Sequence, residues 1–326
     1  MSQSPSPKAA SQTAFLASTT YSASTDGVGP ADDLGEHWQL LLVAAALSRD
    51  TARMHDPDTG FAYTAGRLRQ VDAQHAVLRW QPRAGWCCGD RVDPCLRAFL
   101  ELYLPLCQPL AKGTRVFAHL GQSLDGFIAT HSGDSECVTG AENIRHMHRM
   151  RALSDAVIVG AGTVASDDPQ LTTRLVPGPN AVRVVLDPAG RLGADYRLFS
   201  DGVAPSLLCR SVGSGGDVPE RADLLEFDKS GDGCELGALL QALARRGLRR
   251  LFIEGGGVTV SEFLSRGLLD RLQITVAPVI IGGGRPGVTV PRSDAMTQAL
   301  RPPALIYRMG SDVLYDFDLS NGSPIS

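Results

Sequence analysis

What these 326 residues lack narrows what the chain can be. No apolar run approaches the roughly 20 residues that a membrane-spanning helix needs. The longest, Leu40 to Leu47, has eight. Neither sign of charge is in excess: 31 Lys+Arg stand against 35 Asp+Glu, a formal net charge of −4. That balance does not suit a protein that lives on nucleic acid or an anionic membrane. The seven cysteines are odd in number and follow no repeating spacing, and no basic start with an unbroken apolar stretch precedes them. A disulfide framework and a secretory signal are therefore not expected, and a soluble chain in a reducing cytoplasm is. No internal repeat is visible. What is present, 43% hydrophobic residues, is enough for a sizeable core. At about 100–200 residues per domain, the length predicts two domains or one with a large extension.

The first 27 residues are rich in Ser, Thr, Ala and Gln, and residues 1 to about 35 carry no periodic apolar pattern, which predicts a disordered tail. The run from Glu36 to Arg49 reads as a helix that Asp32 or Asp33 could cap. Residues 56–93 mix Gly and Pro with short alternating pieces such as Ala76–Trp80, which predict strands. Asp93-Pro94 opens a helix through Cys107, and Lys112-Gly113 marks a boundary. Beyond it, β-rich runs at Arg115–Leu120, Ala156–Val159, Val182–Leu186, Ser206–Cys209, Leu251–Ile253 and Leu272–Val276 alternate with helical patterns at Ala141–Leu153, Glu235–Arg246 and Thr259–Arg266. Such alternation predicts an α/β domain with a largely parallel sheet and a crevice at the strand ends. Leu305–Arg308 and Val313–Phe317, around Gly310, predict a closing antiparallel hairpin.

Three segments can carry chemistry. In Ile253-Glu254-Gly255-Gly256-Gly257 a buried strand runs into three glycines and then a helix. Glycine lets a backbone approach a ligand closely, and a helix start presents unpaired N–H groups to a phosphate; a tight turn is the plainer reading. The segment is not G-x-G-x-x-G, so a standard Rossmann reading is poor. In Val157–Val164, another strand ends in a Gly-rich loop that leads to Asp167, Asp168 and Arg174. Here a helix cap at Asp167/Asp168 and a solvated Arg174 compete with Arg151 and Arg174 acting as a fork for a phosphate. In Leu120–Gly126 a strand ends in an Asp-Gly turn, after which Thr139 could be a helix N-cap and Ser135 a loop hydroxyl. His146 and His148, at i and i+2, do not face each other and read as surface or partly buried helix residues. Gly282–Arg285 is either a ligand-touching loop or a plain connection.

Taken together, the Ser123–Gly126 turn, Gly133–Ser135 with the helix Ala141–Arg151, the run Gly160–Arg174, Glu254–Gly256 and Ala277-Pro278 preserve an order and spacing. In these the chain resembles the reductase half of the bifunctional riboflavin-biosynthesis deaminase/reductase family, over about residues 114–319. The resemblance implies a dihydrofolate-reductase-like α/β fold with a mixed, mostly parallel sheet flanked by helices, and a small N-terminal accessory region. It implies a domain plan of a 1–35 tail, a 36–111 accessory region, a 112–319 reductase domain and a 320–326 tail. Carried over position by position, it gives substrate contacts to Ser135, Arg151, Leu171, Arg174 and Glu254, with Glu254 the acid nearest the chemistry. It gives NADPH contacts to Gly121, Cys137, Thr163, Asp167, Gly256, Gly257, Val258, Thr259, Val260, Ser261 and Glu262. Where the family usually has Trp or a similar large residue, this chain has Cys137. On its charge alone, and not from the resemblance, Arg191 is a further candidate cation for a 2′-phosphate. Relatives commonly pair, so a homodimer is implied.

The implied activity is hydride transfer from NADPH to C1′ of a ribosylamino-pyrimidine 5′-phosphate. The fused relatives also carry a zinc deaminase, whose chemistry needs His-x-Glu and a Pro-Cys-x-x-Cys-like pair. Here the nearest match, His75-Ala76-Val77, has valine in place of the glutamate, and Cys87, Cys88 and Cys95 follow too closely. Neither deamination nor a metal site is expected. Two other readings stay open: the same fold and cofactor acting on a different substrate, and a catalytically idle dinucleotide- or pyrimidine-phosphate-binding module.

Overall fold

The fold is given by a computed structural model that describes residues 35–49, 60–64, 67–82, 84–110, 113–136, 138–230 and 233–320. The expected N-terminal tail short of Gly35, its Asp32/Asp33 cap, Cys137 and residues 321–326 lie outside the described residues.

The chain opens with α1 (Gly35–Leu47), then β1 (Gly60–Thr64), β2 (Arg67–Val71), β3 (Leu78–Gln81), β4 (Gly85–Cys88) and α2 (Pro94–Cys107). The strands form an antiparallel sheet in the order β2-β1-β3-β4. Helix α2 starts where the sequence predicts, because Pro94 suits a first turn and the Asp93 carboxylate accepts the amides of Cys95 and Leu96 at 3.0 Å.

Next come β5 (Arg115–Ser123), β6 (Phe127–Thr130), α3 (Ala141–Leu153), β7 (Ala156–Gly160), α4 (Ala161–Asp167), β8 (Val182–Leu186), α5 (Arg197–Ser200), β9 (Ser206–Ser211) and β10 (Ala222–Phe227). The chain continues through β11 (Lys229–Ser230), β12 (Gly233–Cys234), α6 (Leu236–Arg245), β13 (Arg250–Gly255), α7 (Gly257–Ser265) and β14 (Arg271–Ala277). It closes with β15 (Gly284–Pro286), β16 (Ala304–Met309) and β17 (Asp312–Asp318). Nine strands make one sheet, ordered β10-β9-β8-β7-β13-β5-β14-β17-β16. It is parallel from β10 to β14, while β17 runs antiparallel to β14 and pairs with β16 in the predicted hairpin. This is the α/β class with a mixed, mostly parallel sheet expected from the sequence. Among the described residues, no helix is long and apolar enough to cross a membrane.

Successive residues of a strand point to opposite faces, and both faces of this sheet are dry. Val116, Ala118, Ile158, Leu251 and Ile253 pack on one side with Leu239 and Leu243 of α6 and Val260 and Phe263 of α7. Phe117, Val157, Val159 and Phe252 face the other side, where they share a single hydrophobic cluster with Met150 of α3, Trp38 and Leu41 of α1 and Leu100 and Tyr103 of α2. Among the described residues the N-terminal region therefore has no separate core. It covers one face of the sheet.

Helix α3 is gripped in this layer. The Arg149 guanidinium lies over the rings of Phe99 (4.7 Å), Trp38 and Tyr103 (5.8 Å each). The Tyr103 hydroxyl bonds His146 Nδ1 at 2.8 Å, and His146 Nε2 bonds Gln273 Oε1 at 2.8 Å. His146 is thus fully buried rather than superficial, because α3 is covered on the side that the sequence leaves unassigned.

All three tryptophans, Trp38, Trp80 and Trp86, lie in the N-terminal region. Their fluorescence and the far-UV circular dichroism of the whole chain should therefore report one coincident urea transition. Met150→Ala should lower both together, by about 2–5 kcal/mol. Two separated transitions would show that the N-terminal region folds by itself.

Candidate ligand-binding cleft

The carboxyl ends of β5, β7, β8 and β13 open into one cavity of about 1480 Å³, lined by Gly121, Gly160, Leu186 and Glu254 from those strands. A ligand crevice belongs at this edge of an open parallel sheet, where helices leave the strands and backbone groups are free. The β6–β15 ribbon, which pairs Gly284 with Thr130 and Arg285 with Ala129, supplies another wall.

One end of the cleft is built on an ion pair. Arg151, near the end of α3, donates from Nε to Glu254 Oε2 at 2.6 Å and from Nη2 to Glu254 Oε1, while its Nη1 donates to the Thr172 carbonyl at 2.8 Å. Both side chains are 9% exposed. A two-pronged guanidinium–carboxylate pair of this kind fixes the carboxylate in the cleft wall. Of the two arginines expected to form a fork, Arg151 has its charge matched by Glu254, and Arg174 stands exposed at that end of the cleft. Arg174 sits in the irregular stretch after α4 that Arg151 holds through Thr172.

The other end is the start of α7. Val260 N–H bonds the Gly256 carbonyl, so the amides of Gly257, Val258 and Thr259 have no partner within the helix. Val258 is 87% exposed. A Cβ on Gly257 would lie 2.4 Å from the Gly287 carbonyl oxygen and 2.6 Å from that of Pro286, which is why glycine stands there.

Of the expected contacts, Gly121, Ser135, Arg151, Thr163, Asp167, Arg174, Glu254, Gly256, Gly257, Val258, Thr259, Ser261 and Glu262 all line this one cavity, as does Arg191. Two do not. Leu171, 2% exposed with φ 55°, packs into the core cluster, and Val260 is wholly buried against the sheet with its amide used inside the helix. Ser261 touches the cavity, but its hydroxyl donates to the Gly257 carbonyl (2.6 Å) and accepts the Thr289 amide (2.8 Å).

Two local readings are also corrected. Asp167 and Asp168 end helix α4 instead of starting one: Asp168 is its left-handed C-cap and binds Arg197. Enclosure by the cleft pushes the Asp167 carboxyl up, against the pull of the Arg285 guanidinium. Thr139 is not the cap of α3 either. Gly140 is, and Thr139 instead accepts from Asn143 Nδ2 at 2.9 Å.

The Gly282–Arg285 loop, expected either to touch a ligand or to be a plain connection, reaches the cleft, and two histidines that the sequence did not place there line it as well. Arg285 reaches across the mouth from the β6–β15 ribbon to donate to Ser166 Oγ at 2.9 Å. Its position after three glycines was the available signal. His119 is buried behind Asn143, with Nε2 2.9 Å from Asn143 Oδ1 and 3.1 Å from Thr275 Oγ1, and burial pushes its pKa down to about 4. His148, 1% exposed, lines the cleft beside Arg151 and Arg174; no spacing rule points to either histidine.

The geometry defines an α/β protein with a nucleotide-sized cleft at the carboxyl ends of a parallel sheet, bounded by a buried Arg–Glu pair and a free helix N-terminus. Residues 114–312 match the RibD C-terminal domain. The chain belongs to that family, the pyrimidine reductases of riboflavin biosynthesis. It is 35% identical over 215 residues to the 2,5-diamino-6-ribosylamino-4(3H)-pyrimidinone 5′-phosphate reductase of Methanothermobacter thermautotrophicus, covering 62% of this chain and 96% of that one. The riboflavin biosynthesis protein RibD of Bacillus amyloliquefaciens is 33% identical over 253 residues, 74% of this chain and 63% of its own length. Among solved structures, the Thermotoga maritima diaminohydroxyphosphoribosylaminopyrimidine deaminase/5-amino-6-(5-phosphoribosylamino)uracil reductase aligns with a TM-score of 0.53 and 29% identity, over 68% of this chain and 60% of that chain.

Removing one partner of a buried ion pair strands the other, so Arg151→Ala should cost about 3–5 kcal/mol in a urea titration. His119 and His148 both have folded pKa values lowered to about 4 from 6.5. The unfolded chain then binds more protons than the folded one between those values. Stability should be full above about pH 6.5 and fall as the pH drops towards 4, by about 1–2 kcal/mol per histidine at pH 5. Urea midpoints at pH 7 and pH 5, for the parent and His119→Gln, check the sign.

Proposed function

We propose that the chain is an NADPH-dependent reductase that delivers hydride to C1′ of a ribosylamino-pyrimidine 5′-phosphate, giving the ribityl product. The observation that carries this reading is the joining, in one cleft, of an exposed Arg174 and an oriented Glu254 at one end with the free amides of α7 at the other. The names of the relatives support the substrate class.

The residues present suit a dinucleotide. The amides of Gly257, Val258 and Thr259 would take its phosphates, helped by the helix dipole, with Thr163 and Gly256 alongside; a Cβ on Gly256 would come within 3.1 Å of Thr163 Oγ1. NADPH, when bound, supplies the hydride. Asp167, Gly121 and Glu262 line the same space, and Arg191 is the cation we assign to a 2′-phosphate.

The chain's own task is positioning and charge. Arg174 anchors the substrate phosphate, so that binding energy far from C1′ orients the reacting carbon. Ser135 gives a hydroxyl to the sugar phosphate. Glu254, held by both prongs of Arg151, accepts from a ribose hydroxyl or pyrimidine N–H at a fixed place. The carboxylate cannot swing away, because Arg151 is itself tied to Thr172. Deaminase chemistry is not part of this reading, and a homodimer is carried with it from the family resemblance.

NADPH oxidation should be seen with 5-amino-6-(5-phosphoribosylamino)uracil or with its 2,5-diamino counterpart, and the active one fixes whether reduction follows or precedes deamination. Silence on both, with NADPH still bound, would remove the proposed substrate. Arg174→Ala should raise KM for the phosphorylated substrate about tenfold or more and leave NADPH affinity nearly unchanged. Gly256→Val should do the reverse; equal loss of both ligands in either variant would sink the assignment.

A further inference from the structure

Helix α3 presents two histidine–arginine pairs at i, i+3. His146 and Arg149 face the aromatic side chains of α1 and α2. His148 and Arg151 face the irregular stretch that carries Arg174. Arg151 Nη1 bonds the Thr172 carbonyl, and His148 Nδ1 accepts the Arg174 main-chain N–H at 3.0 Å. Two side chains one helical turn apart thus hold residues 172 and 174 of a segment that has no ladder of its own.

That bond also sets the tautomer of His148. An amide N–H needs an acceptor, so Nδ1 is unprotonated and a neutral ring carries its proton on Nε2. Burial, with Arg151 and Arg174 adding their charges, pushes the ring pKa down to about 4, so the ring is neutral at pH 7. The Thr172 backbone also lies in hydrogen-bonding range of the ring and favours its protonated form, and the ring lines the cleft next to Arg151 and Arg174.

We infer that His148 is a positioning residue for the phosphorylated end of the substrate, holding the Arg174 main chain through Nδ1 and offering Nε2–H as a neutral donor to a phosphate oxygen beside the Arg174 guanidinium. This rests on reading the cleft as a sugar-phosphate site. A neutral donor adds direction where Arg174 supplies charge, and it places no third cation beside Arg151 and Arg174 in the empty cleft.

The test uses ribose 5-phosphate and the full chain. By calorimetry, His148→Ala should bind ribose 5-phosphate about tenfold or more weakly and keep the parent Kd for NADPH. His148→Gln should recover most of the loss, since its carbonyl can accept the Arg174 amide while its NH2 donates. An unchanged ribose 5-phosphate affinity in His148→Ala, or a glutamine variant as weak as the alanine one, overturns the inference. Thermal melts accompany each variant. If His148→Ala does not fold, long-range 1H–15N spectra of the parent decide: Nδ1 should be the acceptor-type nitrogen, and the Nε2–H signal should move on adding ribose 5-phosphate. No movement at saturation overturns the inference. Failure of the substrate reading looks different, because neither pyrimidine is then turned over while the His148-dependent binding of ribose 5-phosphate persists. Conversely, turnover with an unchanged KM in His148→Ala removes only the role of His148.

Discussion

Nine mostly parallel strands leave two apolar faces that must both be covered, and the rest of the molecule follows from how that is met. One face takes α6 and α7 in the usual crossover manner. The other takes α3 together with a helical layer from the N-terminal region, through Trp38, Leu41, Leu100 and Tyr103. Fully burying such side chains contributes about 1.5–3 kcal/mol each, so this layer is part of the fold's stability. It also fixes where α3 lies, because Arg149 is enclosed by three aromatic rings and His146 is bonded to Tyr103.

The cleft inherits that placement. Arg151 and His148 are one turn apart on the same helix, and what they hold is the wall of the cavity: Glu254 at the end of β13, and Thr172 and Arg174 beyond α4. A buried ion pair is expensive to desolvate and is poor evidence for stability by itself. Its value here is geometric. It leaves Glu254 accepting in one orientation and leaves Arg174 as the charge exposed at that end, separating two duties that the sequence would have shared between two arginines. At the opposite end the same economy appears in backbone form, with α7 starting against the carbonyls of Pro286 and Gly287 and its first amides left open.

Much of the fold was legible beforehand. Val182–Leu186, Ala141–Leu153 and Pro94–Cys107 have the bounds that their patterns predict, because apolar runs, caps and prolines act locally. Helix α4 was not foreseen, since Gly160-Ala161-Gly162 reads as loop and only packing on β7 makes it helical. The short β6–β15 ribbon pairs strands more than 150 residues apart in sequence, as Thr130↔Gly284 shows, and nothing local marks it.

The sequence by itself determined the family, the alternation of strands and helices, and the set of residues gathered at the strand ends, because these depend on short-range pattern and on motifs kept in order. Tertiary structure alone decided which of those residues are free to act. Leu171 and Val260 carry motif positions yet are spent on the core, Arg151 is neutralised by a glutamate 103 positions away, and His148, with no motif at all, stands in the cleft. The physical reason is that burial, charge pairing and tautomer are set by neighbours distant in the chain, and no window along the sequence contains them.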